Sequence, residues 1–239
     1  MLENCQIRYL HSSDRALSVE FGNEISETIH NQIRAFCHLL KERRIPGITE
    51  IVPTYCSVMV HYEPDVIFYD ALIAALEELV QQTRDIRLPA GEIVEVPVYY
   101  GGASGPDLAT VAAHNGLSES EVIRLHAAPR YLIYMLGFTP GFAYMGGMDA
   151  RIATPRLSVP RVKLPAGSVG IAGSQTGIYP LESPGGWQII GQTPLVLYDA
   201  HRETPILFEA GQRIQFVPIS REEYCRIKGE PPTDFESKP

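Results

Sequence analysis

From Tyr131 to Ser220 the chain carries no apolar period long enough to make a helix. It offers instead short β-prone runs, YLIYML, SVGIAG, WQIIG, PLVLYD, PILF and RIQFVPI, separated by glycine and proline. Strands so short, and so often interrupted, bury an apolar face by curling one sheet onto itself. The pattern therefore predicts a closed or nearly closed β-barrel. IVEVPVYY opens this half as a strand, with Pro97 pointing to an edge or a bulge. PDLATVAAHNG and SESEVIRLHAA follow as short helices, the second started by a capping box at Ser118 and Glu121. REEYCRIK closes the half as a last helix.

The first half follows another pattern. ALSVEF is a short strand, after which Ile25, Ile29, Ile33, Cys37 and Leu40 recur at helical spacing until Pro46 and Gly47 break the helix. ITEIVPTY and CSVMVHY read as two strands, and Phe68, Leu72, Leu76, Leu79 and Val80 as a second helix. Strand–helix–strand–strand–helix predicts a small α+β layer with its helices on one face of the sheet. Residues 81–92, QQTRDIRLPAGE, read as the linker, which divides the chain into domains 1–88 and 89–239. The tail KGEPPTDFESKP is expected to fray.

Charge narrows the function. The formal net charge is −8 and no Lys/Arg block offsets it, which argues against a nucleic-acid backbone or an anionic membrane as partner. No apolar run approaches the roughly 20 residues of a membrane span, and MLENCQIRYLHSSDR lacks the pattern of a signal peptide, so the cytoplasm is the expected location. Cys5, Cys37, Cys56 and Cys225 are scattered, with no CxxC pair and no histidine at zinc spacing. They read as reduced thiols, and no metal site is expected.

Familiar catalytic signatures are missing: HExxH, GxSxG and GxxxxGK[ST] do not occur. GGASGPD runs into a helix, but Asp107 in its first turn would compete with an anion there, so it reads as a turn. His61 reads as a strand residue with a polar partner, while His126, at the end of its helix and leading into the barrel, is a pocket candidate. YMLGFTPGFAYMGGMD sets aromatics beside backbone that can approach closely, as a ligand pocket or a tight barrel corner would. Arg156, Arg161 and Lys163 fall within eight residues. They suit a carboxylate or phosphate, or else a solvated strand face. SVGIAGSQTGIYPLESPGGWQIIG then holds six glycines and the chain's only tryptophan, with Gln175, Tyr179, Ser183 and Trp187 as recognition groups; none of them is a strong base or nucleophile.

The runs GFTPGFAYMGGMDARIATPR and PAGSVGIAGSQTGIYPLESPGGWQIIGQTPL resemble the allophanate hydrolase subunit 1 family, and further matching segments extend the likeness over nearly the whole chain. That family includes the B component of the bacterial ATP-dependent 5-oxoprolinase and the sporulation kinase inhibitor KipI. The resemblance implies an α+β fold, with a ferredoxin-like N-terminal domain followed by a cyclophilin-like β-barrel. It implies an enzyme subunit inactive alone, partnered by homologues of the A and C components of 5-oxoprolinase, with ATP (and Mg) as co-substrate of the complex. Where members often carry Gly-Asp, this chain has Ser13-Asp14; where they often have Cys and Glu, it has Tyr99 and Ala103.

On this reading Arg156, Arg161 and Lys163 hold negative charge, amides near Gln175–Tyr179 orient the substrate, and Ser183 and Trp187 shape the wall. No catalytic residue is assigned. The alternative is a KipI-type protein that binds and inhibits a sensor histidine kinase without catalysis. Prolyl isomerase activity would rest on fold analogy alone.

Overall fold

A computed structural model describes residues 7–230; Cys5 and most of the Pro-rich tail lie outside the described residues. The chain forms two compact units, Met1–Ala90 and Gly91–Pro239.

In the first unit, β1 (Arg8–Ser13), β2 (Ala16–Glu20), β3 (Ile48–Pro53) and β4 (Ser57–Tyr62) form an antiparallel sheet in the order β1-β2-β4-β3. Alternation along β2 and β4 points Leu17, Val19, Val58, Val60 and Tyr62 into one core. Helices α1 (Glu27–Arg43) and α2 (Tyr69–Gln82) close that core with Ile29, Ile33, Phe36, Leu40, Leu72, Leu76 and Leu79. Each such side chain contributes about 1.5–3 kcal/mol by leaving water. Ser26 caps α1 by accepting from Ile29 N–H at 3.1 Å. The periodicity did not predict β1: RYLHSS is an edge strand, almost wholly exposed, so it carries no apolar alternation to read. Ser13-Asp14 proves to be its turn into β2, where the Ser13 hydroxyl accepts from Arg15 N–H at 3.2 Å.

The second unit is built on a seven-stranded sheet. Its strands are β5 (Ile93–Tyr100), β6 (Arg130–Leu136), β7 (Ala143–Gly146), β9 (Ser168–Ala172), β10 (Gln175–Ile178), β12 (Gln188–Gln192) and β13 (Arg213–Pro218). The order is β10-β9-β12-β5-β13-β6-β7, and the end strands β10 and β7 come together, so the sheet is a nearly closed barrel. Val96, Val98, Tyr131, Ile133, Val169, Ile171, Ile178, Ile190, Ile214 and Phe216 fill it. Helices α3 (Leu108–Asn115) and α4 (Glu119–Ala127) add Leu108, Val111, Val122 and Leu125 to the same core, α4 starting at the expected capping box. Helix α5 (Arg221–Lys228) follows β13. A two-stranded ribbon, β8 (Arg161–Leu164) with β11 (Ser183–Gly185), is separate from the barrel sheet.

Two local expectations need correction. Strand β5 is interior, paired in parallel with β13 along Ile93–Val98. Pro97 is tolerated because β12 reaches β5 only at Tyr99 and Tyr100, leaving one flank of the proline free of a ladder. PLVLYD and PILF are not strands; they share one isolated bridge, Tyr198 to Ile206. Their apolar residues serve packing instead, Leu197 and Phe208 being buried plugs of the barrel core.

Candidate functional site

The glycine-rich stretch makes a seat for an indole. Along β9 and β10, Val169, Ile171 and Ile178 face the barrel core, so Gly170 and Gly177, directly opposite each other in the ladder, face outward. A Cβ on Gly177 would lie 3.0 Å from Trp187 Cζ3, and one on Gly170 3.2 Å from Trp187 Cβ. The two bare positions let the ring lie against the sheet. Trp187 joins Leu164, Tyr179 and Ile189 in a small cluster outside the main core.

Around that ring stand further aromatics. Phe142 meets Trp187 edge-on at 6.0 Å, Tyr144 at 5.1 Å, Tyr179 at 6.2 Å and Phe138 at 5.8 Å, all T-shaped. Edge-to-face pairs of this kind are worth about 0.5–1.5 kcal/mol beyond their buried area. Phe142 and Tyr179 are buried, whereas Trp187 and Tyr144 keep part of their surface in water. The result is a rigid aromatic wall with an accessible side.

The three clustered cations are used differently. Arg161 donates two parallel bonds to Asp107, Nη1 to Oδ2 at 2.9 Å and Nη2 to Oδ1 at 2.7 Å. Asp107, only 6% exposed, also accepts from Ile189 N–H at 2.7 Å. Arg161 is therefore the counter-ion of a buried carboxylate and has its fork already occupied, which corrects its expected role as a substrate grip. Lys163 pairs with Glu182 at 2.9 Å, both side chains in water. Arg156 is exposed and forms no ion pair among the described residues. Its neighbour Leu157 donates its N–H to Gly186 O at 2.7 Å, which holds Arg156 beside the Gly186-Trp187 corner. Its charge is felt at Tyr179: burial raises that phenol above its ordinary value, and a Trp187 N–H and the Arg156 guanidinium work in the opposite direction.

Ser183 lies on the ribbon opposite Leu164, and Gln175 stands on the outward face of β10 two residues before Gly177. His126 belongs elsewhere. Fully buried, it stacks on Phe216 with ring centroids 4.5 Å apart. The Thr176 hydroxyl donates to Gly170 O at 3.0 Å, so at 2.8 Å it can only accept from His126 Nε2–H. Nδ1 then accepts from Tyr100 O–H at 2.8 Å. Burial pushes the imidazole down to about 3 and the Tyr100 phenol well up, which holds His126 neutral and Tyr100 protonated. Both ring nitrogens are satisfied, and His126 is a core residue rather than a pocket group.

Asp107 was legible only as a helix-start residue, since its partner is 54 residues away. The role of Phe142 had a sequence signal in the Gly-Phe and Pro-Gly-Phe pairs. GGASGPD is a turn, with Gly101 and Gly105 amides bonded to Ile190 O and Gly101 O. Cys37, Cys56 and Cys225 form no disulfide among the described residues. No helix among the described residues is long and apolar enough to cross a membrane.

The second unit is a nearly closed barrel bearing an aromatic wall, and comparison with known proteins gives the family of the chain. The carboxyltransferase domain, subdomain C and D, matches residues 7–208, and the chain belongs to that family. It is 42% identical over 227 residues to the 5-oxoprolinase subunit designated B of Bacillus subtilis (strain 168), with 91% of this chain and 95% of that protein covered. To the corresponding 5-oxoprolinase B component of Escherichia coli O157:H7 it is 46% identical over 175 residues, covering 73% and 79%. The crystal structure of TTHA0988 matches with a TM-score of 0.76 at 37% identity, covering 86% of this chain and 40% of that one. The chain thus spans less than half of TTHA0988, while its curated relatives of similar length bear the names of enzyme subunits.

Proposed function

We propose that this chain is the B component of an ATP-dependent 5-oxoprolinase, acting with the A and C components to convert 5-oxo-L-proline, ATP and water into L-glutamate, ADP and phosphate. The names of its relatives support the reading, and the observation that carries it to particular residues is Arg156, without an ion pair among the described residues, beside the Trp187 wall. In this reading the substrate carboxylate takes two guanidinium N–H bonds from Arg156, and the apolar face of the lactam ring lies on Trp187. Gln175 and the neighbouring amides orient the ring, and Lys163 and Ser183 border the recess. A lactam held this way reaches the reacting groups in one orientation, which removes rotational freedom from the step. None of these side chains is a strong base or nucleophile, so the ring-opening groups come from the partner components and the chain alone is inactive.

ATP, with Mg, belongs to the complex. We read the first unit as a ferredoxin-like fold whose outer strand, β1, precedes the βαββα run instead of following it, the second unit as cyclophilin-like, and the cytoplasm as the place of action. The test is reconstitution with the A and C components. Arg156→Ala is expected to raise KM for 5-oxo-L-proline by about 10- to 100-fold, as loss of a charged hydrogen-bonded pair does, with a smaller change in kcat. An unchanged KM would remove Arg156 from the site.

A second reading, the KipI-type inhibitor of a sensor histidine kinase, draws on the exposure of Val159 and Val162, 77% and 89%, as a protein-binding patch. A dose-dependent fall in kinase autophosphorylation supports it, and no effect at saturating protein counts against it.

A further inference from the structure

Phe138 is built in a way the fold does not require. It is one of two described non-glycine residues with positive φ, at 67°. The left-handed region is unfavourable for a bulky aromatic, and a glycine would serve the backbone better. Its ring is also 76% exposed, so burial does not compensate the strain. The loop itself is firmly held. Gly137 N–H donates to Phe142 O at 3.1 Å, Phe142 N–H to Thr139 O at 3.0 Å, and Thr139 N–H to Gly137 O at 2.8 Å. Gly141, also left-handed, packs against Pro180, Leu197 and Tyr198, where a Cβ would fit only tightly, 3.2–3.3 Å from its neighbours. A rigid base thus carries a strained, exposed ring. That ring touches Phe142, which on its other contacts meets Trp187, so Phe138 and Trp187 extend one aromatic wall in two directions.

We propose that Phe138 is a ligand-stacking residue, its ring laid on the flat face of a small carboxylate bound along the aromatic wall that runs from Phe138 through Phe142 to Trp187. The inference rests on the proposed recess and narrows its ligand to flat molecules. The planar amide of a five-membered lactam offers a flat face, with the carboxylate standing out of that plane on a tetrahedral carbon, whereas a puckered, saturated amino acid of the same size offers none. Strain at an exposed position persists when the side chain has work that the backbone's preferred residue cannot do.

Trp187 is the chain's only tryptophan, so its fluorescence reports on this wall directly. The full chain is titrated with 5-oxo-L-proline, L-proline and planar aromatic carboxylates such as pyrrole-2-carboxylate, in wild type, Phe138→Gly and Phe138→Tyr. For the planar carboxylates, Phe138→Gly is expected to weaken binding by about 3- to 10-fold, the range of one aromatic contact, while its Tm stays equal to wild type or rises. Phe138→Tyr is expected to retain affinity. Equal affinity in Phe138→Gly overturns the proposal, as does a Tm fall of several degrees, which would mark the ring as packing. Loss of co-elution with the 5-oxoprolinase C component at unchanged ligand affinity also overturns it, making Phe138 a partner anchor. Should 5-oxo-L-proline fail while another planar carboxylate binds in a Phe138-dependent way, stacking stands and the 5-oxoprolinase reading falls. If no planar carboxylate binds wild type, the stacking proposal itself fails.

Discussion

A buried imidazole that donates from one nitrogen and accepts at the other has no proton to lend at neutral pH. For His126 the folded value lies near 3, below the ordinary 6.5 that the unfolded chain restores. Between those values the unfolded state binds the extra proton, so stability rises with pH there and is lost as pH falls from about 6.5 toward 3, by up to about 1.4 kcal/mol per pH unit. Thermal melts from pH 7 to pH 4 should show this slope, and His126→Gln should flatten it while leaving Trp187 fluorescence unaltered. Gly177 gives a second check at this scale. Gly177→Val puts a branched side chain where a Cβ already lies 3.0 Å from the indole. A loss of about 1–3 kcal/mol is expected from overpacking, with a shift of the Trp187 emission to longer wavelength as the ring is lifted into water. An unchanged spectrum would mean that the glycines do not seat the ring.

At the scale of elements, the ribbon of β8 and β11 depends on one pair. Asp107 starts α3, Arg161 starts β8, and Ile189 in β12 donates to the same carboxylate. Removing the guanidinium leaves a nearly buried charge without its counter-ion, held by the Ile189 N–H alone. Arg161→Ala is therefore expected to cost about 2–4 kcal/mol of stability, reduced from a fully buried case because Arg161 is partly in water. Asp107→Ala combined with Arg161→Ala should cost less than the sum of the single changes, read from denaturant midpoints; strict additivity would show that the two do not act as a unit. The three cations expected to hold negative charge do not share one environment, for a physical reason. Spacing places Arg156, Arg161 and Lys163 on one segment, but only the folded chain brings Asp107 to Arg161 and Glu182 to Lys163. Helices with an apolar stripe and a cap, such as α1 and α4, were legible because their signals are local. Strand β1 was not, since an exposed edge carries no such signal.

For the molecule as a whole, the remaining question is what covers its exposed apolar residues. Val162 projects from the ribbon almost fully into water, so Val162→Glu should leave Tm unchanged. On the second proposed reading the same change should weaken inhibition of kinase autophosphorylation, and undiminished inhibition would place that interface elsewhere. The sequence alone determined the α+β character, the change of pattern between the two halves, the barrel, and the family signature around Trp187. These depend on periodicity and turn chemistry, which neighbouring residues set. Only the tertiary structure decided which polar groups are free. It closed His126 between Tyr100 and Thr176, tied Arg161 to Asp107, and left Arg156 without an ion pair among the described residues. Whether a charge is available to a ligand depends on partners distant in the chain, and only folding brings those partners together.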